Sequence, residues 1–441
     1  MSEQPASTDT GLAASPPGRP TGVRFGILGL LMAFSFMNHF NRMSMAVAGD
    51  ERIMNDFHIS PTRMGFVYSA FLLAYTLFMV PGGWLLDRIG PRRALLGVGF
   101  GTATFAAATG VVGWLGWQTA LLFTGLMIVR GVMGAFAAPI YPATGSVVRR
   151  WMPRHRRAAS NGWIMAAALV AIACVYRVFG ALMDLVGWPA AFVVIGGVTA
   201  AIAVLWSLIA TDRPEQHALA NQAERALIAE GDAPEPATAA GSAISTLLRN
   251  RSLVLLTASY AAVGYFEYLF FYWMHHYFEH ELHLGKDASA WYAGIPSLAM
   301  AVGMPLGGWL SDRLMTRLGP RLGRAIVPAG GMLASALLLM LGVLSHEPVW
   351  IVAWFSLAMA AVGATEGPFW TAAVALGGRR GGTSGAIVNT GGNAGGMIAP
   401  VLTPWVGELA GWPWAISLGS LFCLLGAGAW FWIDAERGSS S

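Results

Sequence analysis

Long apolar runs alternate with short polar breaks along the whole chain, and most of the runs share one length. Twelve of them, at about 22–47, 60–86, 91–113, 118–142, 157–183, 187–210, 252–278, 288–311, 324–345, 348–376, 383–406 and 411–433, hold some 20 residues or more. As helices, each reaches across the ~30 Å of a bilayer's hydrocarbon. Gly, Ser and Pro are the usual punctuation between them. The pattern therefore predicts an all-α membrane protein of twelve transmembrane helices. With 55% hydrophobic and 11% charged residues the chain is not an ordinary soluble globule.

The runs come as two sets of six. Gly82-Gly83-Trp84-Leu85-Leu86-Asp87-Arg88 ends one run and Gly307-Gly308-Trp309-Leu310-Ser311-Asp312-Arg313 ends another. Gly187-Trp188-Pro189 and Gly411-Trp412-Pro413 repeat at nearly the same offset. A membrane chain made of two like halves is built as secondary transporters are, with the site at the seam. The expected organisation is a disordered N-terminus at 1–21, a six-helix bundle at 22–210, a linker at 211–251, a second six-helix bundle at 252–433 and a tail at 434–441. A short helix near Gln222 to Glu230 is the one regular element expected in the linker.

Charge predicts the orientation. Of the 27 Lys and Arg, 21 fall in one set of loops and tails, three (Arg52, Arg63 and Lys286) in the other, and three (Arg42, Arg130 and Arg177) inside spans. Positive residues stay on the cytoplasmic side, so both termini are expected there, in a multi-pass protein of the inner (plasma) membrane. The net charge of +4 reports topology, not nucleic-acid binding. The first residues lack the apolar core and cleavage site of a secretory signal, so the first span is expected to be retained. Cys174 and Cys423 read as packing residues. Trp114, Trp117, Trp188, Trp412 and Trp414 at span ends read as an aromatic belt.

The segment Gly83-x-x-x-Asp87-Arg88-x-Gly90-x-Arg92-Arg93 resembles the loop signature of the major facilitator superfamily. More of the chain is similar to that superfamily's anion:cation symporters, which include sugar-acid and other organic-anion permeases. The matching stretches are Phe40-Asn41-Arg42, Arg130 with Gly134-x-x-x-Ala138-Pro139-x-Tyr141-Pro142, and Trp151-Met152-Pro153. Tyr268-x-x-x-x-Trp273 and Gly367-Pro368-Phe369-Trp370, with Asn389 and Asn393, extend the likeness. The resemblance implies the major facilitator fold, with two pseudo-symmetric six-helix bundles. It implies that Gly83, Asp87, Arg88, Arg93, Asp312 and Arg313 gate by latching the halves, Gly83 permitting close contact. It also implies that Arg42 and Arg130 bind the substrate, helped by Tyr75, Tyr268, Trp370, Asn389 and Asn393.

Buried charge points the same way. An ionised side chain in mid-bilayer costs several kcal/mol, so it faces a partner or a wet cavity. Guanidinium groups bind carboxylates bidentately, which suits a small anionic substrate. Proton-coupled relatives carry an aspartate before the span-one arginine and a glutamate before Ala-Pro in span four. Here those positions are Asn41 and Ala137, which cannot titrate. Overlaying the halves puts Glu267 on Asn41 and Glu366 on Ala137, so both carboxylates reappear in the second half. Glu267 and Glu366 are thus the expected proton-coupling residues and the only acids expected deep in spans, with paired or neutral packing glutamates as the plainer reading.

Other residues are open to two readings. Arg177 serves either the site or a structural pair. Tyr265, Tyr268 and Tyr272 form a stripe at i, i+3, i+7, either aromatic packing or a sugar-binding face. His39 is either protonatable beside Arg42 or, the leading reading, a neutral, satisfied histidine. His275, His276, His280 and His283 read as a solvated cluster at a membrane interface, although His276 and His280 have a metal-like spacing. The expectation is no cofactor and no metal. The expected partners are the anion, protons and the lipid bilayer, not nucleic acid, and a monomer suffices. Proton symport of a sugar acid or related carboxylate by alternating access leads. A proton-independent facilitator or exchanger of another anion, and a transporter-like sensor, stand as alternatives. No nucleotide-binding loop supports an ATP-driven pump, and no nucleophile–base grouping supports an enzyme.

Overall fold

A computed structural model describes residues 19–115, 118–229, 247–378 and 381–434. The expected roles of Trp117, Arg379, Arg380, the N-terminus to residue 18, linker residues 230–246 and tail residues from 435 lie outside those described residues.

Among the described residues all regular structure is helical. The first half comprises α1 (Val23–Ala48), α2 (Pro61–Ile89), α3 (Pro91–Trp114), α4 (Thr119–Ala137), α5 (Ile140–Trp151), α6 (Arg157–Val186) and α7 (Trp188–Ile209). A short linker helix, α8 (Gln222–Ala229), follows. The second half comprises α9 (Arg251–His276), α10 (Lys286–Leu318), α11 (Pro320–Val343), α12 (Pro348–Gly363), α13 (Glu366–Gly377), α14 (Gly381–Ala410) and α15 (Trp412–Ala429). The pairs α4–α5 and α12–α13 are each one span interrupted near a proline, at Ala138–Pro139 and at Ala364–Thr365.

Among the described residues eleven helical stretches are long and apolar enough to cross a membrane. The twelfth, α14, has 30 residues but too many Gly, Thr and Asn to meet that measure of apolarity. It is packed against α9 and α2, so its polar and small residues face protein more than lipid.

The repeated signatures are corners. Gly187 and Gly411 take φ of 80° and 95°, a backbone that costs glycine little, and each is followed within two residues by the proline of the next helix's first turn. Proline loses nothing there, because the first N–H groups of a helix lack intrahelical partners. Gly90–Pro91 and Gly319–Pro320 repeat the device after the signature loops.

Each half repeats one packing plan: α1 on α6, α2 on α4 and α3 on α7 correspond to α9 on α14, α10 on α12 and α11 on α15. Small residues make the contacts, as in membranes, where lipid tails are as apolar as any side chain and only close approach adds dispersion. A methyl on Gly264 would collide with the backbone of Gly392, so α9 and α14 touch backbone to backbone.

The halves meet across α2–α14, α6–α10 and α1–α9. These cross-half contacts gather towards the end of the bundle poor in Arg and Lys. There Gly65 lies against the Pro400 carbonyl, Ser69 Oγ donates to the Met397 carbonyl (2.7 Å), and the Thr62 amide donates to Glu408 (2.9 Å). Arg177 pairs with Asp287, and Lys286 Nζ sits 2.9 Å from Glu51 and 2.7 Å from Asp184. The structural reading of Arg177 therefore holds in this conformation. At the opposite end α8 is tied to the chain's start: Glu224, fully buried, accepts from Thr21 Oγ1, from the Val23 and Arg24 amides and from the Arg24 guanidinium.

Candidate functional site

Between the halves lies a cavity of about 570 Å³. Helices α1, α2, α5 and α6 line one wall, and α9, α10, α13 and α14 the other. Thr144, Gly145 and Asn161 carry it towards the Arg-rich end. At the other end aromatic rings close it: Tyr68 stacks on Tyr272 (5.0 Å, 16° between planes) and packs against Trp273 (5.7 Å).

Of the residues expected to bind substrate, Arg42, Tyr75, Tyr268, Trp370, Asn389 and Asn393 all line this one cavity, although they come from five helices. Arg42 belongs to the last two turns of α1, where nearly every residue is buried. Its guanidinium lies 4.7 Å over the Tyr268 ring and 5.9 Å from Phe71. No carboxylate lies within ion-pair distance of it among the described residues, and its Nε has no hydrogen-bond partner. Among the described residues its neighbours are ring faces and phenols, which leaves the fork of the guanidinium able to take a carboxylate.

Arg130 departs from expectation. It is 1% exposed, is not part of the cavity wall, and donates to the carbonyls of Asn41 (3.1 Å) and Arg42 (2.8 Å) from α4. In this conformation it braces the backbone that carries Arg42 and is not itself presented to a ligand. Its place along α4 does not say which way it faces; the hydrogen bonds to the α1 carbonyls do.

Glu267 and Glu366 line the opposite wall and interact with each other. Glu366 opens α13 at the span's break, and its Oε2 accepts from Tyr260 (2.8 Å). One oxygen of each glutamate is buried with no hydrogen-bond partner. Asn41, on the pseudo-symmetric position, donates to Thr199 (2.8 Å), and Ala137 is fully buried. Tyr141 and Tyr260 belong to the cavity as well and were not expected there: Tyr141 stands in the span-four motif without a role assigned to it, and nothing in the local sequence of Tyr260 distinguishes it from a packing tyrosine. His39 lines it with Nδ1 against the Ser35 carbonyl (3.1 Å).

The tyrosine stripe divides by depth. Tyr268 faces the cavity, Tyr272 seals its end, and Tyr265 packs away from it, bonded to Thr403 (2.8 Å).

The signature loops need one correction of register. Close contact is made by Gly82, against Pro139, and by Gly307, against the Ala364 backbone, while Gly83 and Gly308 face open space. Asp87, Arg88, Arg93, Asp312 and Arg313 are exposed at the Arg-rich end, where Arg313 lies over Trp309 (5.5 Å). No ion pair or hydrogen bond joins the residues expected to latch among the described residues.

A second correction concerns acids and histidines at the Arg-poor end. α1 runs on through a π-turn (Gly49–Ile53), so Asp50 is 2% exposed, a further buried acid besides the two glutamates. His275 and His276, expected in solvent, are buried against it.

A twelve-span bundle of two like halves around a central cavity that opens to one side is the architecture of an alternating-access carrier. A profile of the Major Facilitator Superfamily matches residues 31–389, and the chain belongs to that superfamily. It is a multi-pass membrane transporter and not an enzyme. It is 27% identical over 419 residues to "Probable galactarate/D-glucarate transporter GudP" of Escherichia coli (strain K12), covering 90% of each chain. It is 28% identical over 444 residues to "D-galactonate transporter" of Escherichia coli O6:H1, covering 95% of this chain and 96% of the relative. A solved bacterial homolog of the human lysosomal transporter Spinster, inward-facing and unoccupied, shares the fold (TM-score 0.75, 17% identity, 94% of this chain and 97% of the other).

Proposed function

We propose that this chain is a carrier of small organic anions of the sugar-acid class that takes up its substrate with protons by alternating access. The observation that carries the reading is Arg42, buried in the cavity wall without a carboxylate partner and facing two interacting glutamates across the cavity. A substrate carboxylate would take two hydrogen bonds from the guanidinium, Tyr75 and Tyr268 would flank it, and Trp370, Asn389 and Asn393 would contact the hydroxyls. Arg130 would act as a positioning residue. Relatives named for galactarate, glucarate and galactonate support the substrate class. The two halves, taken as 22–210 and 252–433, would rock about the site with both termini in the cytoplasm. In that orientation the cavity faces inward and the signature loops, with no bond between their latch residues, are the latch in its open position.

Glu267 and Glu366 would hold the proton. Two neighbouring carboxylates on one wall repel when both are charged, which would favour a single proton held by the pair until an arriving anion or a change of state redistributes it. The test is uptake into proteoliposomes of D-galactonate and galactarate, with and without an alkaline interior. Wild type should accumulate substrate only with the gradient. Glu267→Gln and Glu366→Gln should lose accumulation and keep substrate exchange. If both variants accumulate as wild type does, the proton assignment is wrong. If the wild type equilibrates substrate without regard to pH, the facilitator reading, to which Asn41 and Ala137 lend weight, takes its place.

A further inference from the structure

Asp50 extends from the first half into a nest of histidines on the second. His275 Nδ1 lies 2.6 Å from one carboxylate oxygen, His276 Nδ1 2.5 Å from the other, and His280 Nε2 3.3 Å from that same second oxygen. His276 and His280 are one turn apart with ring centres 4.5 Å from each other. The ligating atoms of Asp50, His276 and His280 lie within 4.8 Å of one another.

We propose that Asp50, His276 and His280 form a site for a divalent transition metal of the Zn²⁺ class, and that occupancy clamps the two halves shut at the Arg-poor face. Two imidazoles and a carboxylate are a donor set that Zn²⁺ accepts and that the hard ions Mg²⁺ and Ca²⁺ do not favour. Bonds of about 2.0–2.2 Å from one ion bring such donors into the spacing already present, after small side-chain rotations. Three protein ligands leave a fourth position for water at the rim, where the His280 side chain is 34% exposed and gives an ion a way in. The donors are also held from behind, as metal ligands usually are. His275 bonds the far oxygen of Asp50 and is stacked on Tyr176 (4.5 Å, 9°), while Trp412 (4.7 Å) and Trp273 (5.6 Å) flank His276.

The donors belong to different halves, so parting the halves at this end separates Asp50 from the imidazoles and abolishes the site. An ion that binds one state alone shifts the balance towards it: at 100 times its dissociation constant, by about 100-fold. External Zn²⁺ would therefore hold the carrier closed on this face and arrest transport, whatever anion is carried.

Isothermal titration of the purified full-length chain, without a polyhistidine tag, with ZnCl₂ and separately with MgCl₂ tests the site in the absence of substrate. We expect one saturable Zn²⁺ per chain and no Mg²⁺ binding, with His280→Ala and Asp50→Asn each weakening Zn²⁺ at least about tenfold, the order of loss expected for a missing ligand. Should Asp50→Asn not fold, His280→Ala, a change at the half-exposed rim, gives the answer alone, with thermal unfolding as the check on folding. A cysteine pair labelled at the Arg-poor face should lose reactivity when Zn²⁺ is added. Absence of saturable binding, or binding of equal strength in His280→Ala, overturns the proposal and leaves a plain hydrogen-bonded seal. Neither result depends on the sugar-acid reading.

Discussion

Replacing Arg42 by alanine removes the one Lys or Arg side chain that lines the cavity among the described residues. A charge-assisted hydrogen bond contributes about 1.5–3 kcal/mol net, and truncating one partner of a buried, hydrogen-bonded charge pair costs about 2–5 kcal/mol. Arg42 is 5% exposed, so solvent does little to screen the loss. Its contact with Tyr268 at 4.7 Å exists before substrate arrives, so losing that contact lowers the stability of the free protein and not the affinity. An affinity loss of roughly 2–4 kcal/mol remains, which is about 30- to 1,000-fold at 1.4 kcal/mol per decade. Lysine keeps the charge but not the planar fork, so Arg42→Lys should lose on the order of tenfold. The assay is equilibrium binding of D-galactonate and galactarate to purified protein, with thermal unfolding as a folding control. If folded Arg42→Ala binds within about threefold of wild type, a difference under 1 kcal/mol, the anion is held elsewhere and the site assignment fails.

Three further outcomes follow from the packing. Arg130→Ala should release the Asn41 and Arg42 carbonyls, lower the melting temperature and weaken binding indirectly, while Arg130→Lys should restore part of both; a variant that loses affinity with unchanged stability would instead make Arg130 a direct ligand. Gly65→Val should drive a side chain into the Pro400 carbonyl and so disfavour closure at the Arg-poor end, which cysteine-labelling rates at that end would register as increased access. Glu224→Gln should destabilise the chain by about 1–3 kcal/mol near neutral pH, the cost of weakening a buried hydrogen-bonded charge. For Glu224, burial alone would raise the carboxyl pKa, but the bonds from Thr21, Arg24 and Val23 and the Arg24 charge outweigh it and hold it below the ordinary glutamate value. The stabilisation is therefore present above that ordinary value of about 4.3 and is lost as pH falls through the depressed one, so the gap in melting temperature between wild type and variant should close in acid.

How much of the site could be read beforehand depends on what kind of constraint made it. The glutamates were found by overlaying the halves, because duplication carries a residue's position in the fold along with its position in the repeat. Arg42 and Tyr268 were found by motif, and their shared cavity follows from two helices whose registers those motifs set. Arg130 was found too, but its direction was not: a guanidinium six atoms from its backbone can serve a cavity or a neighbouring helix equally well. The contact glycine was misplaced by one residue, since Gly82 and Gly83 are chemically identical and differ only in which side of α2 faces Pro139. His275 and His276 were misjudged because their burial depends on Asp50, 225 residues away from His275.

Hydrophobic run length, the repeated Gly-Trp-Pro corners and the internal repeat are local or periodic properties, and they alone determined a helical membrane chain in two like halves with a cavity at their seam. The tertiary structure decided which buried charges face the cavity, which brace the backbone, and which lock one half to the other. Those distinctions rest on a few ångströms of approach between helices remote in sequence, and no spacing along the chain encodes that distance.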